Sequence, residues 1–201
     1  MGDVGDAVAA LRAGQPVVLP TDTVYGLCAI AHGAAPLRRL YRLKRRPEGQ
    51  PSALMCAEVD ALLDAVPDLS GDSERIVREL LPGPYTLVLP NPARRFPWLT
   101  GSRPDAIGVR VPELVGEAAL VLRRVGAVAA TSANVHGGPD PRRLDEVPEE
   151  IRAACGALVD GGELPGTPST VLDFTGPEPR VVREGAAASA EAVERALAAI
   201  R

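Results

Sequence analysis

The 201-residue sequence predicts an α/β fold, a mixed sheet of about seven strands with flanking helices. Three observations carry that expectation. Short runs rich in Val, Ile and Leu are interspersed with longer stretches whose apolar residues recur at helical spacing. Several of the short runs end in polar loops, the place where open α/β sheets put their ligands. Not every pair of runs is joined by a helix, so antiparallel pairs must be mixed into the sheet. With 46% hydrophobic residues the chain can bury a substantial core, and one domain over 1–201 is expected.

Taken in order, Asp6 to Ala13 reads as a helix with Val8 and Leu11 on one face, closed by Gly14. Gln15 to Leu19 is a strand bounded by Pro16 and Pro20. It delivers the loop Thr21-Asp22-Thr23-Val24-Tyr25-Gly26. That loop reads either as a turn whose Thr and Asp side chains satisfy the backbone or as hydroxyls and a carboxylate converging on a ligand. Leu27 to Ala31 continues as a strand, and Gly33 to Pro36 turns into a basic helix. There Arg38, Arg39, Arg42, Lys44, Arg45 and Arg46 place six positive charges in nine residues, within a chain of formal net charge −4. Leu37, Leu40, Tyr41 and Leu43 form the apolar face, and Pro47 is expected to end the helix. Lys44 is the single lysine among 22 basic residues. The stretch reads either as a solvated basic face or as a helix end whose ammonium and guanidinium grip phosphate or carboxylate oxygens.

Ser52 to Cys56 is a short strand, followed by helices around Val59 to Ala65 and Ser73 to Leu81, the second stopped by Pro82-Gly83-Pro84. Tyr85 to Leu89 and Ile107 to Val111 have strand composition, and Arg110 inside the latter either faces solvent or points at an anion. A helix from Leu114 to Val125 leads to the strand Ala127 to Ala130. This strand runs into Thr131-Ser132-Ala133-Asn134, either an Asx or Ser/Thr turn or a close-approach ligand loop before Gly137-Gly138. A helix over Glu149 to Cys155, strands at Ala157 to Asp160, Val171 to Asp173 and Arg180 to Arg183, and a helix from Ser189 to Ile200 complete the chain.

Other classes are excluded or disfavoured. There is no Walker A loop and no Gly-x-Gly-x-x-Gly after a strand, and His32 and His136 lack metal-ligand spacing, so no metal site is assigned. A pI near 5.3 and 3% aromatic residues argue against generic duplex binding and base stacking. Cys28, Cys56 and Cys155 read as buried thiols of a reducing compartment. With no long apolar run and an acidic start from Met1 to Asp6, no membrane contact is expected, and the localisation expected is cytoplasmic.

Seven segments in order, Pro20 to Leu27, Lys44-x-Arg46-Pro47, Pro82 to Thr86, Val109-Arg110-Val111-Pro112, Ser132-x-Asn134, Pro168 to Val171 and Arg183-Glu184-Gly185, resemble the YrdC-like family of L-threonylcarbamoyladenylate synthases. The resemblance implies a twisted sheet with a positively lined concave face. It also implies the conversion of L-threonine, bicarbonate and ATP, with Mg²⁺ on the phosphates, into threonylcarbamoyl-AMP and pyrophosphate for tRNA t6A synthesis. Downstream t6A-synthesis proteins and a tRNA contact are the further partners it implies. By position, Thr21, Ser132 and Ser169 match threonine contacts, while Lys44, Arg46, Thr86, Asn134, Arg142 and Arg183 match nucleotide contacts. Lys44, Arg46 and Arg110 are the expected catalytic charges. Some relatives carry a histidine where Met55 stands, and the length matches the short, single-domain members. Two other readings compete: a carbamoyl-adenylate-forming domain, as within hydrogenase-maturation carbamoyltransferases, and a non-enzymatic RNA-binding module.

Overall fold

The computed structural model describes residues 2–47 and 49–201, so Met1 of the acidic start and Glu48 of the loop after Pro47 lie outside the described residues. Strands β1 (Val17–Leu19), β2 (Gly26–Ile30), β3 (Ala53–Cys56), β4 (Tyr85–Pro90), β5 (Ala106–Arg110), β6 (Ala127–Ser132), β7 (Ala157–Leu158), β8 (Thr170–Asp173) and β9 (Arg180–Arg183) form one twisted open sheet. Their order is β7-β1-β2-β6-β3-β5-β4-β8-β9. The sheet therefore has nine strands where about seven were expected: each of the nine short runs read from the sequence pairs into it, the two-residue β7 and the exposed β9 at its edges. As expected, it is mixed: β1 with β2, β2 with β6, β6 with β3, β5 with β4 and β8 with β9 are antiparallel, whereas β7 with β1, β3 with β5 and β4 with β8 are parallel.

Period-two alternation sends successive side chains to opposite faces. Val18, Leu27, Leu54, Leu87, Leu89, Ile107 and Val109 point into the larger buried cluster. That face is covered by helices α2 (Ala34–Lys44), α3 (Val59–Ala65), α4 (Asp72–Leu80), α6 (Glu149–Ala154) and α7 (Ser189–Ala199). On the other face Val17, Leu19, Cys28, Met55 and Val128 pack with α1 (Val4–Arg12) and α5 (Gly116–Val125) in a smaller cluster at one end of the sheet. The same face towards β4, β8 and β9 is the floor of a cleft.

Two helix ends differ from the sequence expectation for local reasons. Asp3 caps α1, accepting from Asp6 N at 2.9 Å while the Asp6 side chain accepts from Asp3 N, so the helix starts at Val4. Helix α2 ends at Lys44 because Arg45 turns into the left-handed region (φ 53°), with Arg46 N donating to Tyr41 O at 2.9 Å, before Pro47 is reached. Cys28, Cys56 and Cys155 are unpaired thiols whose pKa values burial pushes up to about 12, although Cys155 is only half-buried. Among the described residues no helix is long and apolar enough to cross a membrane.

Candidate active site

The cleft encloses about 310 Å³ and draws its lining from seven strands and four loops. At one end stands the 21–24 loop. Thr21 is buried, and its hydroxyl donates to Val24 O at 2.7 Å while accepting from the amides of Thr23 and Val24. The turn reading is therefore correct for the hydroxyl proton. Thr21 lines the cleft with its hydroxyl already held by its own loop, and Arg110 Nη2 stands 3.5 Å from its oxygen. The Arg110 guanidinium, projecting from β5, donates through one nitrogen to Asp22 and to Thr23 Oγ1 at 2.6 Å, and the other Asp22 oxygen accepts from Glu113 N at 3.1 Å. This ion pair is about nine-tenths buried on both sides. Arg110 thus faces the cleft, not solvent.

Across the floor, Arg46 donates to Thr131 Oγ1 at 3.0 Å and to Pro51 O, and lies over the Tyr41 ring at 5.7 Å. Burial lowers its pKa from the usual arginine value. Ser132, the last residue of β6, donates to Asn134 Oδ1 at 2.8 Å and accepts from Lys44 Nζ at 3.4 Å, leaving one lone pair. Among the described residues, Arg46 Nε and Arg110 Nε are buried donors without a hydrogen-bond partner. Buried polar groups are ordinarily paired, so two orphaned guanidinium donors beside one cleft suit an anion.

At the far wall Thr86 Oγ1 and Ser169 Oγ lie 2.8 Å apart, and Arg183 on β9 donates to Ser169 O at 2.8 Å and to Ser169 Oγ at 3.1 Å. Arg183 is exposed as a whole residue, yet its guanidinium lies against Ser169, and burial lowers its pKa. Gly185 makes this wall possible: a Cβ there would stand 2.3 Å from Pro168 O and 2.5 Å from Ser169 C, so the backbones touch where no side chain fits.

Three expected site residues do not line the cleft. Lys44 is 3% exposed and its ammonium sits behind the floor, donating to Ser132 O at 2.7 Å, Asn134 O at 2.9 Å and Asn134 Oδ1. Burial, then the charge of Arg46, pulls its pKa down to about 8. Asn134 is likewise spent, its Nδ2 donating to Gly138 O and to Asp140 Oδ1 at 3.3 Å. Arg142 is not among the lining residues: it pairs with Glu163 at 2.6 Å on the 160–169 segment, with Gly166 against its stem. The others, Thr21, Arg46, Thr86, Arg110, Ser132, Ser169 and Arg183, come together around the cleft. Sequence reasoning missed Arg103, a cleft residue held by Asp173 at 2.9 Å and Thr175 at 2.8 Å. A lone arginine in a Ser-Arg-Pro turn carries no periodic signal that would single it out. Met55 lines the back of the cleft and is 1% exposed, an apolar wall next to Arg110.

The Sua5/YciO/YrdC family model, described as "Telomere recombination", matches residues 9–185. A threonylcarbamoyl-AMP synthase of Pyrococcus abyssi is 33% identical over 97% of this chain and 57% of its own length. One of Bacillus subtilis is 30% identical over 90% of this chain and 53% of its own. The chain thus spans little more than half the length of these curated relatives. The crystal structure of P. abyssi Sua5 complexed with L-threonine superposes with a TM-score of 0.84 at 32% identity, covering 98% of this chain and 58% of that one.

Proposed function

Since the chain belongs to the Sua5/YciO/YrdC family, we propose that it condenses L-threonine, bicarbonate and ATP into threonylcarbamoyl-AMP and pyrophosphate, for t6A synthesis on tRNA. The observation that carries this reading is the set of guanidiniums of Arg46, Arg110 and Arg183 on the walls of one cleft, two of them with an unmet buried N–H. An adenylate-forming transfer needs that kind of site. Bicarbonate and the threonine amine give a carbamate and water; a carbamate oxygen then bonds to the α-phosphorus as the bond to the β-phosphate oxygen breaks and pyrophosphate leaves. No covalent enzyme nucleophile takes part. Positioning and neutralisation of the spreading phosphate charge lower the barrier.

The residues divide accordingly. Ser132 offers a lone pair to the N–H or O–H of threonine, Thr21 shapes the same end of the cleft, and Arg110 offers its free Nε–H to a carboxylate or phosphate oxygen. Arg46 and Arg183, with the Thr86 and Ser169 hydroxyls, take the nucleotide phosphates. Lys44 and Asn134 act from behind by holding Ser132 in place, and Arg142 pins the 163–166 segment. Mg²⁺ accompanying the triphosphate would supply charge neutralisation there, a mode that needs few protein ligands. Among the described residues no group of three or more His, Cys, Asp or Glu is placed to hold a metal. The product is a reactive mixed anhydride that a separate acyl-transferring enzyme must consume.

Release of pyrophosphate from labelled ATP tests the proposal. It should require both L-threonine and bicarbonate, because the nucleophile exists only after carboxylation. Discrimination against serine should be modest, since one methyl in a pocket is worth about 1–3 kcal/mol. Full turnover without bicarbonate would sink the substrate assignment, and no pyrophosphate at all would leave a binding module.

A further inference from the structure

The cleft floor is crossed by a row of small, apolar positions in direct register. Ala130 pairs with Ala53, Ala53 with Gly108, and Gly108 with Val88, so four adjacent strands present this row to the cleft. Strands lie about 4.8 Å apart, which makes the row about 14 Å long. Two residues along the strands in one direction the same face carries Met55, Arg110 and Thr86. In the other direction it carries Ala106 and Ser132. A flat apolar trough is therefore flanked by polar and cationic groups.

Gly108 sits at the middle of this trough, and the fold does not require a glycine there. Its φ is not among the positive-φ glycines. A Cβ would meet Ala53 Cα at 3.7 Å, Ser52 O at 3.8 Å and Thr86 Cγ2 at 4.0 Å, all ordinary contacts. Ile107 and Val109 on either side point into the opposite cluster, so the missing side chain of Gly108 leaves space only in the cleft. Glycine inside a strand costs about 0.5–1 kcal/mol relative to alanine. Glycine in a strand interior often marks a bulge, a bend or the close approach of a ligand or another backbone, and the pairing of Gly108 is regular on both sides.

We propose that Gly108 is a specificity-determining residue: its bare backbone lets a nucleoside triphosphate lie against β5, crossing from the Ser132 side to the Arg110 and Thr86 side. The inference rests on the reading of the cleft as an ATP site and adds which part of the floor the nucleotide touches. An amino acid occupies one end of the trough, whereas a nucleotide has to cross it. The apolar row suits the face of a base or sugar, and the cationic flank suits its phosphates.

Gly108→Ala and Gly108→Val test it, with ATP and L-threonine binding measured separately by calorimetry on the full chain and thermal unfolding followed in parallel. Gly108→Ala should weaken ATP at least about tenfold, the effect of one badly placed methyl, while L-threonine stays within about threefold. Gly108→Val should weaken ATP further. The melting temperature of Gly108→Ala should stay level or rise, because the strand gains a better-suited residue. Wild-type ATP binding in Gly108→Ala and Gly108→Val alike, or loss of threonine instead of ATP, would overturn the inference and leave the ATP-site reading standing. A marked drop in melting temperature for Gly108→Ala would also overturn it, since packing would then be what demands glycine. Failure of the unmutated chain to bind ATP would bring down both.

Discussion

Replacing Lys44 by methionine or arginine separates a role in positioning from a role as a bare positive charge. Lys44→Met keeps the length of the stem and removes three donors from a site that is 3% exposed. Asn134 Oδ1 keeps a partner, since Ser132 Oγ donates to it at 2.8 Å, so the acceptors left bare are the carbonyls of Ser132 and Asn134. Each bare acceptor costs about 1–3 kcal/mol, part of which is returned because an ammonium no longer has to be desolvated. The net loss should be about 1–3 kcal/mol, with the melting temperature falling by roughly 2–12 °C for a chain of this size. Turnover should fall far more. With Ser132 no longer tied down, a shift of about 1 Å at its hydroxyl is enough to cost about 10²-fold. Lys44→Arg retains charge, but a planar fork cannot converge on three oxygens arranged around one nitrogen, and its extra bulk in a packed site costs about 1–3 kcal/mol. Arg45→Ala is the control: it removes an exposed pair with Glu150 at 2.6 Å and should cost under about 1 kcal/mol with normal turnover. Pyrophosphate-release kinetics and thermal melts on the three variants decide the matter. Near-normal kcat/KM in Lys44→Arg would refute the positioning argument, and near-normal kcat/KM in Lys44→Met would detach Lys44 from the site.

Two expectations concern pH. Because burial holds the Lys44 pKa at about 8 against an ordinary value of 10.5, the folded protein sheds this proton from about pH 8 upward while the unfolded chain keeps it. The group's contribution to stability therefore rises over that window as a costly buried charge is lost. A neutral amine has only two hydrogens for three acceptors, so kcat/KM should nevertheless decline above about pH 8, with an inflection absent from Lys44→Arg. A profile identical in wild type and variant would be the contrary result. Burial alone would raise the Asp173 pKa, but hydrogen bonds from Thr175 and Arg103 overcome it and hold the carboxyl at about 2. Its stabilisation, about 2 kcal/mol, is present above the unfolded value near 3.8 and is lost as pH falls through 2. Denaturant titrations should therefore find Asp173→Asn less stable at pH 7, the gap narrowing below pH 4, and a pH-independent gap would rule this out.

Much of the molecule can be read from neighbours in the chain. The alternation of Tyr85 to Leu89 and of Ile107 to Arg110 assigns one side of each strand to the core and puts Thr86, Gly108 and Arg110 on the other. Lys44 stands out by composition alone, and the Thr-Asp-Thr and Ser-x-Asn segments stand out as polar ends of apolar strands. These signals depend on spacings of two to four residues, the range over which strand and helix geometry imposes a period. The direction in which Lys44 spends its donors could not be read that way, because its acceptors lie 88 and 90 residues further along the chain. The same holds for Arg142, whose ion pair is with Glu163, and for Arg103, brought to the cleft through Asp173 some 70 residues on. The partners of the edge strands β7 and β9 are likewise set by pairing and not by their own sequence. The trough across Ala130, Ala53, Gly108 and Val88 exists only because the registers of three strand pairs bring those positions into line. Side-chain periodicity is a property of a single strand, whereas register is set between strands distant in sequence, and the site is built from register.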